Sequence, residues 1–187
     1  MLRERGLNAT SLREVAKQAD AAFGSTYHYF PGGKQQMIIE AVKLSGSAIT
    51  GILRKQFAAG PVEGLKDFLS LWREALIANQ FRAGCPVLAV SAEAPQDGDE
   101  SILVAAAEVF DDWEALLTEA LAGPDGAREE TKGLATLIVA SVEGAIAMCR
   151  AKRSIVPFDL IAIQLTELLT QRFAGNASTT QQASGTD

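Results

Sequence analysis

STYHYFPGGK, residues 25–34, holds both tyrosines and the single histidine of a 187-residue chain, then a proline, two glycines and a lysine. It ends one helical pattern and begins another, so its reading decides what the first part of the chain is. Upstream, Ser11 and Glu14 have capping-box spacing, which satisfies free amides at a helix start. Leu12, Val15, Ala16 and Ala19 then recur three and four apart, as on one helix face. Residues 20–23 form a break, and a short helix of mixed polar and aromatic residues follows. Two short helices joined by a tight turn have the layout of a helix-turn-helix, whose second helix enters the major groove of DNA. On that helix Ser25, Tyr27 and His28 take the exposed side, where phenol and imidazole groups can meet phosphates or base edges. Lys34 falls at the next helix start, where free amides and an ammonium can hold one phosphate. Spacing alone favours a plainer reading, with Tyr27, Tyr29 and Phe30 as core aromatics and His28 in solvent.

Beyond this stretch the chain reads as helix, without the alternating pattern of strands. Gly6 closes the end of a first, short helix. A long helix is predicted over residues 34–57. Pro61 suits the first turn of the next, which reaches residue 80. A short apolar helix covers 86–92, and three longer ones follow, marked by Ile102 to Ala120, Leu134 to Cys149 and Ile161 to Phe173. The expectation is an all-α protein of about nine helices: a helix-turn-helix domain over residues 1–45, and a larger ligand-binding and dimerisation domain over 46–174. A disordered tail over 175–187 is expected from its Ser/Thr/Gln/Gly-rich composition.

Composition narrows the function classes. At 48% hydrophobic and 21% charged, the chain can bury a sizeable core. Its net charge of −6 argues against coating nucleic acid over the whole surface. Residues 1–48 carry six basic side chains against four acidic, and the remainder eleven against nineteen, a mildly basic head on an acidic body. One histidine excludes His-rich metal sites and, outside residue 28, Ser-His-Asp catalysis. No phosphate-binding loop follows a strand. No enzyme, cofactor or metal is therefore expected. Cys85 and Cys149 read as small buried groups rather than a redox pair. No apolar run looks long enough to span a membrane free of charge or glycine, so a cytoplasmic setting with no membrane contact is expected.

The larger domain offers material for a small-molecule pocket: Phe68, Trp72, Phe81, Phe110, Trp113 and Met148. Each is also an ordinary core residue by spacing. Glu143 stands out inside ATLIVASVEGAIAMC, residues 135–149, where a buried carboxyl needs a partner, such as a cationic or hydroxylated ligand. Small residues at 140, 141, 144, 145 and 147 suit close helix approach in a two-fold dimer, or internal core.

GLNATSLREVAKQADAAFGSTYHYFPGGKQQM, residues 6–37, resembles the DNA-binding domain of TetR-family transcriptional regulators, and GCPVLAVSAEA, residues 84–94, is similar to the LmrA/YxaF-like subgroup. The resemblance implies an all-helical homodimer, a palindromic double-stranded DNA operator and a small-molecule effector pocket. Carried over by position, Thr10, Ser11, Ser25, Tyr27, His28, Tyr29 and Lys34 are the expected DNA contacts. The implied function is a ligand-responsive regulator, a repressor released by a small apolar or amphipathic effector. The alternative is a small-molecule-binding helical dimer that has lost DNA reading. The chain departs from the family pattern at Asp20, where glycine is usual, at Phe23, where a base is common, and at Thr26, where an aliphatic anchor is usual. Residues 1–6 match only the end of the family's first helix, implying a native start upstream or a truncated chain, with Val15 and Phe30 left uncovered.

Overall fold

The computed structural model describes residues 1–93, 100–122 and 128–183, with the backbone alone for residues 128, 130 and 175–183. The described residues form nine helices and no strand. In order these are α1 (Leu2–Arg5), α2 (Leu12–Gln18), α3 (Phe23–Tyr29), α4 (Gly33–Phe57), α5 (Pro61–Ala78), α6 (Pro86–Ser91), α7 (Ser101–Ala122), α8 (Arg128–Lys152) and α9 (Val156–Ala183).

Local chemistry sets the boundaries. Gly6 ends α1 at φ +80°, a conformation open to glycine. The Ser11 hydroxyl accepts from the Glu14 amide at 3.2 Å and caps α2, while the Glu14 carboxylate meets Arg5 at 3.5 Å. Asp20 takes φ +50° in the turn before α3. Aspartate is among the few non-glycine residues that visit this region readily, which reconciles it with a position where the resembled family uses glycine. Pro61 begins α5.

α4 packs on α7, α5 and α6, α7 on α8, α8 on α9, and α9 returns to α5. These helices enclose a core that includes Ile38, Val42, Leu65, Leu76, Val87, Ile138, Ile146, Phe158 and Leu169. α4 continues unbroken through residue 45, so head and body share one helix and have no linker between them. At Gly46, α4 meets α7 closely: a Cβ there would lie 2.6 Å from both Val109 methyl carbons. The Gly46 carbonyl accepts the Trp113 Nε1–H at 3.2 Å. Val15 and Phe30, expected to be uncovered, are half-buried against the core.

Two expectations change. α9 runs to Ala183, past Gly175, where the tail was placed; one glycine costs a helix only about 1 kcal/mol, and alanine and glutamine favour its continuation. Residues 184–187 of that tail lie outside the described residues. Residues 131–152 of α8 do reach the length and apolarity of a membrane span. The helix is packed between α7 and α9 with Glu143 buried along it, as a core helix is.

Candidate functional site

Helix α3 presents its rings outward. Tyr27 is 55% and Tyr29 71% exposed, and His28 is exposed beside them. Phe23 and Tyr27 stack edge to face at 5.4 Å, and His28 and Tyr29 at 5.6 Å. The Arg13 guanidinium of α2 lies 5.6 Å from the Phe23 ring centre, so Phe23 carries a cation at the turn without being one. Thr26 is buried, and its hydroxyl donates to the Phe23 carbonyl at 2.6 Å. The helix's own backbone thus satisfies the polar group that replaces an aliphatic anchor. Ser25 is half-buried, and its hydroxyl donates to the Ala22 carbonyl at 2.6 Å. Lys34 is half-buried in the first turn of α4.

Ser25, Tyr27, His28 and Tyr29 thus lie on α3, Lys34 in the first turn of α4 and Ser11 at the N-cap of α2. Thr10 does not join them. It is only 2% exposed, and its hydroxyl donates to the Gly6 carbonyl at 2.8 Å. A threonine just ahead of a cap reads as surface in sequence; here its hydroxyl closes the α1–α2 turn instead.

A second set of contacts ties the head to the body. The Glu93 carboxylate, beyond the end of α6, accepts the Leu7 and Asn8 amides at 2.9 Å each. Gly6 leaves the space that the Glu93 side chain occupies. The Gly84 amide donates to the Arg3 carbonyl at 2.9 Å, and Arg3 Nε donates to the Gly84 carbonyl at 3.1 Å. Arg150 Nη2 of α8 donates to the Glu4 carbonyl at 3.0 Å. Sequence reasoning missed Glu93 because its partners lie 85 and 86 positions away.

The body holds an apolar cavity of about 280 Å³ between α4, α5, α6 and α7. Phe68, Trp72 and Trp113 line it with Ile49, Ile52 and Cys85, and Arg3 reaches its edge. A smaller space of about 20 Å³ shares Ile49, Phe68, Trp72 and Trp113 and adds Glu143. A larger groove of about 820 Å³ between α4 and α7 is rimmed by Arg54, Asp111, Asp112, Glu119 and Lys132, charges that suit solvent better than an apolar guest.

Glu143 is only 7% exposed. Burial raises its carboxyl from the ordinary 4.5 to about 7, and a hydrogen bond from the Cys85 thiol offsets part of that rise. Its Oε2 has no hydrogen-bond partner. The Cys85 thiol is raised by burial and by the facing carboxylate, which leaves it a poor nucleophile.

Three of the expected ligand residues stand elsewhere. Phe110 lies half-buried behind the cavity wall, edge to face with Trp113 at 5.5 Å. Phe81 sits in the turn after α5 at φ +58°, its carbonyl accepting from Arg153 at 3.0 Å. Met148 is 47% exposed on the outer side of α8, because that helix is apolar on more than its core face. Leu137, Ala140, Gly144 and Ala147 share that exposed side, and Leu160 and Ile163 of α9 are 59% and 52% exposed. Among the described residues, no cluster of three His, Cys, Asp or Glu could hold a metal.

Comparison with known proteins places this geometry. Residues 1–41 match the model of the tetR family of bacterial regulatory proteins, and residues 61–164 that of the C-terminal domain of LmrA/YxaF-like transcriptional regulators. An uncharacterized HTH-type transcriptional regulator of Mycobacterium tuberculosis, Rv0196, is 38% identical over 177 residues, covering 90% of this chain and 88% of the relative. The regulator YxaF of Bacillus subtilis is 29% identical over 170 residues, covering 90% and 88%. A TetR transcriptional regulator from Legionella pneumophila superposes with a TM-score of 0.77 at 19% identity, covering 89% of this chain and 90% of its own.

Proposed function

The chain belongs to the TetR family of bacterial transcriptional regulators, with an LmrA/YxaF-like C-terminal domain, and from that premise we propose that it is a cytoplasmic homodimeric repressor released from a palindromic operator by a small apolar or amphipathic effector. The observation that carries the reading is the outward trio Tyr27, His28 and Tyr29 on α3, beside Lys34 at the start of α4. A folded domain exposes tyrosine rings at 55% and 71% at a cost in unburied apolar surface, and a groove of DNA gives them somewhere to go.

The outer faces of α8 and α9, with Leu137, Met148, Leu160 and Ile163, support pairing of two copies through a helix bundle. Pairing would present two copies of α3 to successive turns of one DNA face, about 34–36 Å apart. The cavity bounded by Phe68, Trp72 and Trp113 takes the effector in this reading. α6 connects the two functions: Pro86 and Val87 line the cavity, and Glu93 just beyond α6 holds the Leu7 and Asn8 amides. A ligand that displaces α6 draws on the head through those bonds, and release follows if the displaced state binds the effector more tightly.

Fluorescence anisotropy on duplex DNA from upstream of the chain's own gene tests the proposal. Lys34→Ala should weaken binding to all sequences and lower the salt slope by about one, whereas Tyr27→Ala should relax the preference for the operator. Wild-type protein with no salt-sensitive affinity for that DNA would leave the repressor reading without support.

A further inference from the structure

Resting on the effector-cavity reading above, we infer that the compound this cavity takes is a hydrophobic primary amine, its ammonium held by Glu143 and its apolar body lying along Trp72 and Trp113. Glu143 is the one acidic or basic side chain buried among the described residues. Its Oε2 is out of solvent and without a hydrogen-bond partner, and the Cys85 thiol is a weak donor to the carboxyl. Leaving a buried acceptor unmatched costs stability, so the acid is a poor element of a plain core.

The surroundings specify what would complete it. The space beside Glu143 measures about 20 Å³, close to what one water-sized group needs. A primary ammonium fits there; a trimethylammonium does not. The adjoining cavity of about 280 Å³ has room for a small aryl or alkyl body, and the shared walls include two indoles, which favour a nearby cation. Arg3 lies at the edge of the outer cavity, with its Nε donating to the Gly84 carbonyl. A positive group lodged at that edge would meet a like charge, which leaves the Glu143 end as the place for the amine. A neutral hydroxyl could also donate to Oε2, but a bond between two charged partners is roughly twice as strong.

The probes are phenethylamine, phenethyl alcohol and trimethyl(phenethyl)ammonium, titrated into the full chain and into Glu143→Gln. Intrinsic fluorescence is a direct readout, because the chain has two tryptophans and both line the cavity. In the wild type the amine should bind about tenfold more tightly than either the alcohol or the quaternary ion. In Glu143→Gln the amine should fall to within about threefold of the alcohol bound by the same variant, and an unchanged far-UV circular dichroism spectrum reports an intact fold. Equal binding of amine and alcohol to the wild type, or a preference that survives Glu143→Gln, overturns the inference while the effector cavity stands. A quaternary ion that binds as well as the amine overturns it too, by placing the charge outside the small space. If none of the three binds, the cavity reading itself falls and takes the amine with it.

Discussion

Replacing Gly46 with alanine tests how closely α4 and α7 interlock beside the cavity. The added Cβ would stand 2.6 Å from both Val109 methyl carbons and 3.2 Å from the Val109 Cβ. Carbon atoms rest about 3.5–4.0 Å apart, so the helices must separate locally by about 1 Å. Val109 cannot easily turn away: it is β-branched within a helix and only 5% exposed. Overpacking of this kind costs about 1–3 kcal/mol. Alanine's better helix propensity returns about 1 kcal/mol of that. The net loss of about 1 kcal/mol should lower Tm by about 2–4 °C in a chain of this length, read by calorimetry. Val109→Ala, which removes both methyls, supplies the second arm. In the double variant the two methyl collisions are gone and only the 3.2 Å approach of the two Cβ atoms remains, so the two changes should couple favourably by about 1–3 kcal/mol. The Gly46 carbonyl also accepts from Trp113 Nε1, so the single variant should shift tryptophan emission. A Gly46→Ala protein that gains stability by the helix-propensity amount, with no coupling to Val109→Ala, would refute the close approach.

Glu143 gives a pH signature. Its carboxyl is raised from 4.5 to about 7, so the folded chain holds that proton more tightly than the unfolded chain does. The stability it contributes is fully present below 4.5 and is lost as pH rises through 7. Urea midpoints should therefore fall by the equivalent of about 2–3 kcal/mol between about pH 5 and pH 8, and Glu143→Gln should flatten that slope. Glu93→Ala removes two charge-assisted bonds to the α1–α2 turn, so operator affinity should drop by about tenfold or more while probe binding in the cavity holds, measured by anisotropy and fluorescence on one preparation. Leu160→Glu on the outer face of α9 should give monomers in sedimentation and leave the helical circular dichroism unchanged; an unaltered dimer would move the pairing surface elsewhere.

Helix positions were legible because their punctuation is local. Ser11, Pro61 and the Pro31–Gly32–Gly33 stop act within a few residues of themselves, so reading them requires no tertiary contact. Glu143 was legible for a related reason: an acid inside an apolar helix conflicts with its neighbours in the sequence itself. Thr10 and Met148 were not. Met148 belongs to a periodic pattern that looks alike whether a side chain faces core, solvent or a second subunit, and Thr10, in the turn ahead of α2, carries a hydroxyl whose partner only the packed structure identifies. Phe81 stands in a left-handed turn just after α5 and not on a helix face, a placement its spacing does not show. Glu93 carries no local signal, since its meaning resides in amides at the opposite end of the head-to-body contact.

That contact is made largely with main-chain atoms: the Leu7, Asn8 and Gly84 amides and the Arg3, Glu4 and Gly84 carbonyls. Such atoms are common to every sequence, so on the head's side the junction asks for few particular residues, Gly6 and Arg3 among them. Grafting the reading helices of a relative onto this body should need Gly6 and Arg3 kept on the head, and Glu93 and Arg150 on the body. If the body takes an effector as proposed, hybrids that join it to a foreign reading head turn on those four anchor positions.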